Sequence, residues 1–175
     1  MVPSALGAAF AEKMNNSGTV TTVFIGDGTM GEGIVYECMN ISSLWKLPVL
    51  YILENNCYAQ TTPRHLAHVS DFLDRPRAFK ITSMQQNGND VEKVFETAKE
   101  AANRIRETNE PVFLMLNTYR MGPHSKGDDT RSPEELVKHK KNDPLLLTGN
   151  IISEDERDEI YREIQVSTAQ IFTEI

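Results

Sequence analysis

A chain of 175 residues has the length of one domain and is long enough to bury a core without disulfide bonds. Its net charge of -7 leaves no basic surface for nucleic acid, and no apolar run approaches the length of a membrane span. The first residues lack the basic and apolar segments of a secretory signal. We therefore expect a cytoplasmic protein that binds neither nucleic acid nor a membrane, with free thiols at Cys38 and Cys57 because they form no CxxC motif.

Short apolar runs rich in β-branched residues predict strands that are buried on both faces, at positions 20–25, 49–53, 112–116 and, more weakly, 78–82. Apolar residues at helical spacing predict helices before and between these strands, at positions 4–15, 32–45 and 91–107. Asp90 stands at the N-cap position of the helix that begins at 91. Strands that alternate with helices predict an α/β fold with three layers, in which helices flank a parallel sheet.

The C-terminal part of the sequence predicts a further helix. Ser153 and Glu156 have the spacing of a capping box, and Ile160, Ile164 and Ile171 follow at helical spacing. We interpret this aliphatic stripe as core packing, with a docking surface for a partner as the alternative.

Two irregular stretches, 55–64 and 118–131, each follow a predicted strand. Both should lie at the carboxyl ends of the strands, where open α/β sheets bind ligands. The second stretch is long for a connection in a compact domain, which is typical of functional loops. We predict a single domain over residues 1–175, in which 118–131 is an active-site loop and 132–175 is a C-terminal helical segment.

A glycine-rich turn, GDGTMGEG at 26–33, follows the first predicted strand and precedes a predicted helix. Glycines allow a sharp turn and a close approach to a ligand, and the amides at a helix start favour anions, so the turn predicts a phosphate-bearing ligand. GDGTMG matches the GxGxxG fingerprint of NAD(P)-dependent oxidoreductases, with Glu54 where a ribose-binding acid belongs. Asp27 argues against that interpretation, because its carboxylate would face the pyrophosphate without a cation between them.

Asp27 favours a second interpretation, in which the turn holds a magnesium ion. Magnesium prefers oxygen ligands, commonly one or two carboxylates, water and phosphate oxygens. The next strand ends near Asn56, whose amide oxygen is a suitable neutral ligand, and the Tyr58 carbonyl follows shortly. Asp27 alone could be a turn-capping residue and Asn56 alone part of a plain loop. Together, at the ends of neighbouring strands, they favour a metal site.

At this point the sequence resembles a known family. A GDG turn and a later Asn pair form the thiamine diphosphate motif, and the surrounding residues resemble the alpha subunit of the 2-oxo acid dehydrogenases that act on pyruvate, branched-chain 2-oxo acids or acetoin. The matching stretches are Gly26-Asp27-Gly28, Glu32-Gly33, Leu44-Trp45-Lys46-Leu47-Pro48, Glu54-Asn55-Asn56, Thr118-Tyr119-Arg120, His124-Ser125 and Arg131. The likeness runs from the first residues to about Leu136.

The resemblance implies a thiamine diphosphate-binding fold, Mg²⁺ and thiamine diphosphate as cofactors, and several site residues. Asp27, Asn56 and the Tyr58 carbonyl would bind the metal. Gly28, Thr29 and Arg120 would lie at the diphosphate. His124 would lie near the cofactor and take a catalytic role, although an exposed loop histidine is the plain alternative. Ser125 matches a regulatory phosphorylation site of mitochondrial relatives.

The resemblance also implies partners. In the family, the decarboxylated substrate is transferred as an acyl unit to a lipoyl group on an acyltransferase, and the alpha subunit works with a beta subunit in a heterotetramer. Met121-Gly122-Pro123 departs from the family loop, so a usual histidine is absent there. Family members carry a further cofactor-binding segment upstream, so we expect a truncated fragment that is inactive alone. A truncated, non-catalytic interaction module is the remaining alternative.

Overall fold

A computed structural model describes residues 1–125, 127, 129 and 131–173. The strands of its main sheet are β1 (Thr21–Gly26), β2 (Val49–Asn55), β5 (Thr82–Asn87) and β6 (Val112–Asn117). A small hairpin consists of β3 (Tyr58–Ala59) and β4 (Thr62–Pro63). The helices are α1 (Val2–Met14), α2 (Gly33–Leu44), α3 (Arg64–Ala67), α4 (Asp74–Ala78), α5 (Val91–Thr108), α6 (Pro133–Lys140), α7 (Pro144–Gly149) and α8 (Glu154–Thr173), with a 3-10 turn at Asp27–Gly31.

The main sheet is parallel throughout, in the order β1–β2–β6–β5. Alternate residues of β2 point to opposite faces of this sheet. Tyr51 and Leu53 join the core beneath α1 and α2, whereas Leu50 and Ile52 pack beneath α5. Helices therefore cover both faces, which explains the apolar runs of the central strands β2 and β6 and confirms the predicted three-layer α/β fold. The prediction that β1 is buried on both faces was wrong, because Phe24 on one of its faces is 56% exposed.

Two further predictions about individual elements were wrong. The predicted strand at 78–82 falls on the end of α4 and the turn that follows it, and the fourth strand begins at Thr82. Ile160, Ile164 and Ile171 of α8 are 47%, 55% and 58% exposed, so they do not pack into the core of this chain. Within the part of the chain that the structure describes, no helix combines the length and apolar character needed to cross a membrane.

Both predicted helix caps are present. The Asp90 side chain accepts a hydrogen bond from the Lys93 amide over 3.1 Å, which satisfies one of the free amides at the start of α5. At the start of α8, Ser153 Oγ accepts from the Glu156 amide, and the Ser153 amide donates to Glu156 Oε2. This reciprocal pair is the capping box predicted from the sequence.

The Tyr51 hydroxyl is a polar group inside the core. It lies 2.9 Å from Ser42 Oγ and 3.2 Å from the Cys38 carbonyl oxygen, and the whole residue is buried. Tyr51→Phe is expected to lower the free energy of unfolding by about 1 kcal/mol, because these buried groups lose a partner. Urea unfolding measures this change. Tyr161→Phe, at a half-exposed position of α8, is the control and should leave stability unchanged. Equal stabilities of the two variants would contradict the prediction.

Candidate functional site

The candidate site lies where the parallel strands end. Gly26 of β1 is aligned with Glu54 of β2, and Asn55 of β2 is aligned with Asn117 of β6. The residues that follow β1, β2 and β6 therefore meet at one edge of the sheet, as the sequence predicts.

Asp27 is the first residue beyond β1 and is only 3% exposed. Its Oδ1 accepts a hydrogen bond from the Gly28 amide over 2.8 Å, while Oδ2 is buried without a partner among the described residues. Burial raises the pKa of the Asp27 carboxyl, and the Gly28 amide, His68, Arg64 and Arg120 oppose that rise. A buried carboxylate with one unsatisfied oxygen is a group that a cation or a proton would stabilise.

Gly28 brings the 3-10 turn against the β3–β4 hairpin. A Cβ atom built at Gly28 would lie 2.8 Å from the Cβ of Ala59, which is closer than real side chains approach each other. The close contact needs a glycine at position 28, so this residue is required by packing even before any ligand is considered. Thr29, in the same turn, is half-buried, and its carbonyl accepts from the Glu32 amide over 3.0 Å.

The turn after β2 places two oxygen atoms near Asp27, namely Asn56 Oδ1 and the Tyr58 carbonyl oxygen. Asn56 Oδ1 accepts a hydrogen bond from the Tyr58 amide over 3.0 Å, and Cys57 between them has a positive φ of 71°. An amide oxygen has a second lone pair, so Asn56 Oδ1 keeps capacity for a metal. Tyr58 is aligned with Pro63 in the hairpin, and a proline has no amide hydrogen to donate to the Tyr58 carbonyl.

Asn55 is a site residue that the sequence analysis did not single out. It is 3% exposed, its Nδ2 donates to Asn117 Oδ1 over 2.8 Å, and its Oδ1 is buried without a partner in the described part of the chain. Its carbonyl also accepts from the Thr118 amide over 3.0 Å. Asn55 thus fixes the start of the segment after β6 to the end of β2. The asparagine pair at positions 55 and 56 was the feature of the sequence that could have indicated it.

His68 is a second residue that the sequence analysis did not assign to the site. Burial and the neighbouring Arg75 lower the pKa of its imidazole, and its Nε2 is buried with no partner among described residues. The ring packs edge-on against Phe72, with 4.8 Å between centroids. His68 interacts electrostatically with Asp27 although it follows the hairpin, and no spacing in the sequence indicates that proximity.

The segment after β6 carries the remaining predicted residues. Arg120 is half-buried, and its Nη2 donates to the Gln60 carbonyl over 2.7 Å, so it contacts the hairpin. His124 is exposed farther along this segment. The structure therefore brings Arg120 to the edge where Asp27 lies and leaves His124 facing solvent, where its catalytic role stays a prediction. Positions 126, 128 and 130 of the predicted loop lie outside the described residues.

Comparison with known proteins defines the family. The model of the family described as "Dehydrogenase E1 component" matches residues 1–172 of the chain. The chain belongs to the dehydrogenase E1 component family. It is 37% identical over 173 residues to the pyruvate dehydrogenase E1 component subunit alpha of Rickettsia bellii, covering 94% of this chain and 53% of that protein. The Rickettsia felis subunit is 36% identical over 178 residues, covering 99% and 55%.

A plant relative is similar to the chain over a comparable number of residues. The chloroplastic pyruvate dehydrogenase E1 component subunit alpha-3 of Oryza sativa is 35% identical over 182 residues, covering 93% of this chain and 43% of that protein. The chain thus spans about half the length of the curated relatives it matches.

A pair of tyrosines lies beside the site of this E1 component chain. The hydroxyl groups of Tyr58 and Tyr119 each donate to Glu135 Oε1 over 2.9 Å. Removal from solvent and the hydrogen bond to Glu135 raise the pKa of Tyr58 to about 12. A cavity of about 480 Å³ opens next to these residues and is also lined by Arg64, His68 and His139. The E1 chain therefore has space for a ligand next to Tyr58.

The raised pKa of Tyr58 gives a direct test of this arrangement. Glu135→Gln should lower the pKa of Tyr58, because ionisation no longer creates two adjacent negative charges. The remaining burial should keep it above the ordinary tyrosine value. A pH titration followed by NMR of ¹³C-labelled tyrosine rings measures the shift. Glu134→Gln is the control, since Glu134 lies on the exposed side of α6. An unchanged pKa of Tyr58 in Glu135→Gln would contradict the geometry.

Proposed function

We propose that the carboxyl edge of the sheet binds Mg²⁺ and thiamine diphosphate, and that the chain serves in the decarboxylating component of a 2-oxo acid dehydrogenase. The observation that carries the proposal is the buried Asp27 carboxylate, whose Oδ2 has no partner in the described residues. Together with the Asn56 amide oxygen and the Tyr58 carbonyl it supplies hard oxygen ligands, which are those that magnesium prefers. Thiamine diphosphate supplies the electron sink for decarboxylation when bound.

The residues of this chain have separate tasks in the proposal. Asp27, Asn56 and Tyr58 hold the metal, while Gly28 and Thr29 let the backbone approach the diphosphate. Arg64 and Arg120 exert favourable electrostatic effects on the Asp27 carboxylate, so the region has positive charge that suits a diphosphate. His124, on the exposed segment, is proposed to act near the cofactor and the substrate.

The relatives supply the proposed substrate and partners. Their names describe an alpha subunit of pyruvate dehydrogenase, so we propose pyruvate as the first 2-oxo acid to test and a beta subunit as the partner. Transfer of the acyl unit to a lipoyl-bearing acyltransferase belongs to the same proposal, as does a heterotetramer. Acetoin and branched-chain 2-oxo acids are the alternative substrates.

The NAD(P) interpretation of GDGTMG is less favoured. A dinucleotide fingerprint opens directly into a helix whose amides face the pyrophosphate. Here residues Asp27–Gly31 form a separate 3-10 turn, and α2 begins only at Gly33. The buried carboxylate at Asp27 would also oppose a pyrophosphate that lacks a metal ion.

Calorimetric titration of the chain tests the proposal. Thiamine diphosphate should bind in the presence of Mg²⁺ and not after its removal with a chelator. NAD⁺ should give no heat with or without Mg²⁺. Binding of NAD⁺ alone would contradict the proposal. Binding of thiamine diphosphate only after a beta subunit is added would favour the view that the isolated chain is an interaction module.

A further inference from the structure

The Arg131 side chain is buried although the residue lies outside any helix or strand. Only 3% of its side chain is exposed, which is unusual for an arginine in a connecting segment. A guanidinium is always charged and must find hydrogen-bond acceptors when it leaves water. The contacts of Arg131 therefore show what it organises.

The first set of contacts is with the segment that follows β6. Arg131 Nη1 donates to the Arg120 carbonyl, and Nη2 donates to the Gly122 carbonyl over 2.8 Å. Nε and Nη2 also form a two-pronged ion pair with Asp129, over 2.8 and 2.7 Å. One guanidinium thus fixes two carbonyls around Met121, the stretch where the sequence departs from its family.

The second set of contacts is aromatic. The guanidinium lies over the rings of Tyr58 and Tyr119, at 5.6 and 5.2 Å from their centroids. Both tyrosine hydroxyls donate to Glu135 of α6. Arg131 therefore joins the segment after β6 to the hairpin that carries Tyr58 and, through the tyrosines, to α6.

We propose that Arg131 is a positioning residue that fixes residues 119–122 and thereby places Arg120 beside the cofactor site. The Arg120 side chain donates to the Gln60 carbonyl and to the Gly122 carbonyl, and Arg131 holds the Arg120 and Gly122 carbonyls. Arg120 is thus held at both its backbone and its guanidinium. The effect on the cofactor rests on the proposed function, whereas the anchoring of residues 119–122 does not.

Lysine cannot replace Arg131 in this role. An ammonium retains the positive charge over the tyrosine rings, but it lacks the planar fork that reaches Asp129 and the Gly122 carbonyl together. Arg131→Lys should therefore behave as a partial defect and Arg131→Met as a full one. Arg106→Met is the matched control, because Arg106 is an exposed α5 residue that contacts Asn103 of its own helix.

Backbone ¹⁵N relaxation measured by NMR tests the anchoring. In Arg131→Met the order parameters of the amides at 119–122 should fall from the value of rigid backbone, about 0.85, to below about 0.6, less so in Arg131→Lys and not in Arg106→Met. The amides of β1 and β2 should keep their order parameters in all three variants. Unchanged order parameters at 119–122 would overturn the proposal. Lower order parameters throughout the chain would also overturn it, because Arg131 would then be a general stabiliser.

Titration with Mg²⁺ and thiamine diphosphate tests whether Arg131, by placing Arg120, affects cofactor binding. If the original chain binds the cofactor, Arg131→Met should bind it about 10-fold more weakly, with Arg131→Lys between them. Equal affinity in Arg131→Met would overturn the positioning role. If the original chain shows no binding even with a beta subunit, the proposed function fails while the relaxation experiment still decides the anchoring.

Discussion

Replacing Asp27 with asparagine is expected to weaken magnesium-dependent binding of thiamine diphosphate by on the order of 100-fold. Asparagine has the size of aspartate and can accept from the Gly28 amide as Asp27 does. It removes the negative charge that faces the proposed metal. Calorimetry at fixed Mg²⁺ concentration measures the affinity of the two chains. The loss should be smaller at high Mg²⁺ concentration, because the substitution acts through the metal.

Glu54→Gln is the matched control for this experiment. Glu54 is an exposed acid at the end of β2, aligned with Gly26, and it is the residue that a dinucleotide fingerprint would use. Its substitution should leave the affinity for thiamine diphosphate unchanged. If Glu54→Gln abolishes binding and Asp27→Asn does not, the metal site is wrong.

The same Asp27→Asn variant should be more stable than the original chain when no metal is present. Burial raises the folded-state pKa of Asp27 above its unfolded value, so ionisation opposes folding. Stability of the metal-free chain should therefore fall as the pH rises from the unfolded pKa through the raised folded pKa. Asp27→Asn should lack this decrease. Urea unfolding across that acidic range distinguishes a functional carboxylate from one that stabilises the fold.

Gly28→Ala is expected to destabilise the fold by about 1–3 kcal/mol and to weaken cofactor binding with it. The added Cβ would lie 2.8 Å from the Cβ of Ala59, so either the 3-10 turn or the hairpin must move. Either movement separates Asp27 from the turn that carries Asn56 and Tyr58. Thermal unfolding and the cofactor titration measure the two effects.

Gly26→Ala is the control for this substitution. A Cβ atom at Gly26 meets no atom of the described residues within 4 Å, and the φ of this residue is -86°, which alanine adopts readily. This neighbouring glycine should tolerate alanine with little change in stability. If the two variants lose equal stability, the contact with Ala59 is not what requires a glycine at position 28.

The sequence located three main strands well. β2 and β6 bury side chains on both faces, which produces apolar runs, and β1 is a run of β-branched and aromatic residues although it buries only one face. It missed β5 because that strand consists of the mostly polar residues TSMQQN, and among the described residues it pairs with β6 alone. The stripe of α8 was misassigned for a related reason. Helical periodicity shows that a face is apolar, and it does not show what covers that face.

The part of the candidate site that lies directly at the strand ends was predictable from the sequence. Asp27 and Asn56 come directly after neighbouring strands, so topology alone brings them to one edge. Asn55 ends β2 and lies at the same edge for the same reason. His68 and the contacts of Arg131 were not predictable in this way. Their positions depend on the path of the hairpin and of the segment after β6, and neither path has a periodic signature in the sequence.

Paramagnetic NMR with Mn²⁺ in place of Mg²⁺ tests the metal site most directly. In the presence of thiamine diphosphate, Mn²⁺ should broaden the amide signals of Asp27, Gly28, Asn56 and Tyr58 and leave those of α5 sharp. It should have no such effect in Asp27→Asn. Broadening centred on the acidic start of α8, or none at the ends of β1 and β2, would contradict a metal-bound diphosphate at this edge of the sheet.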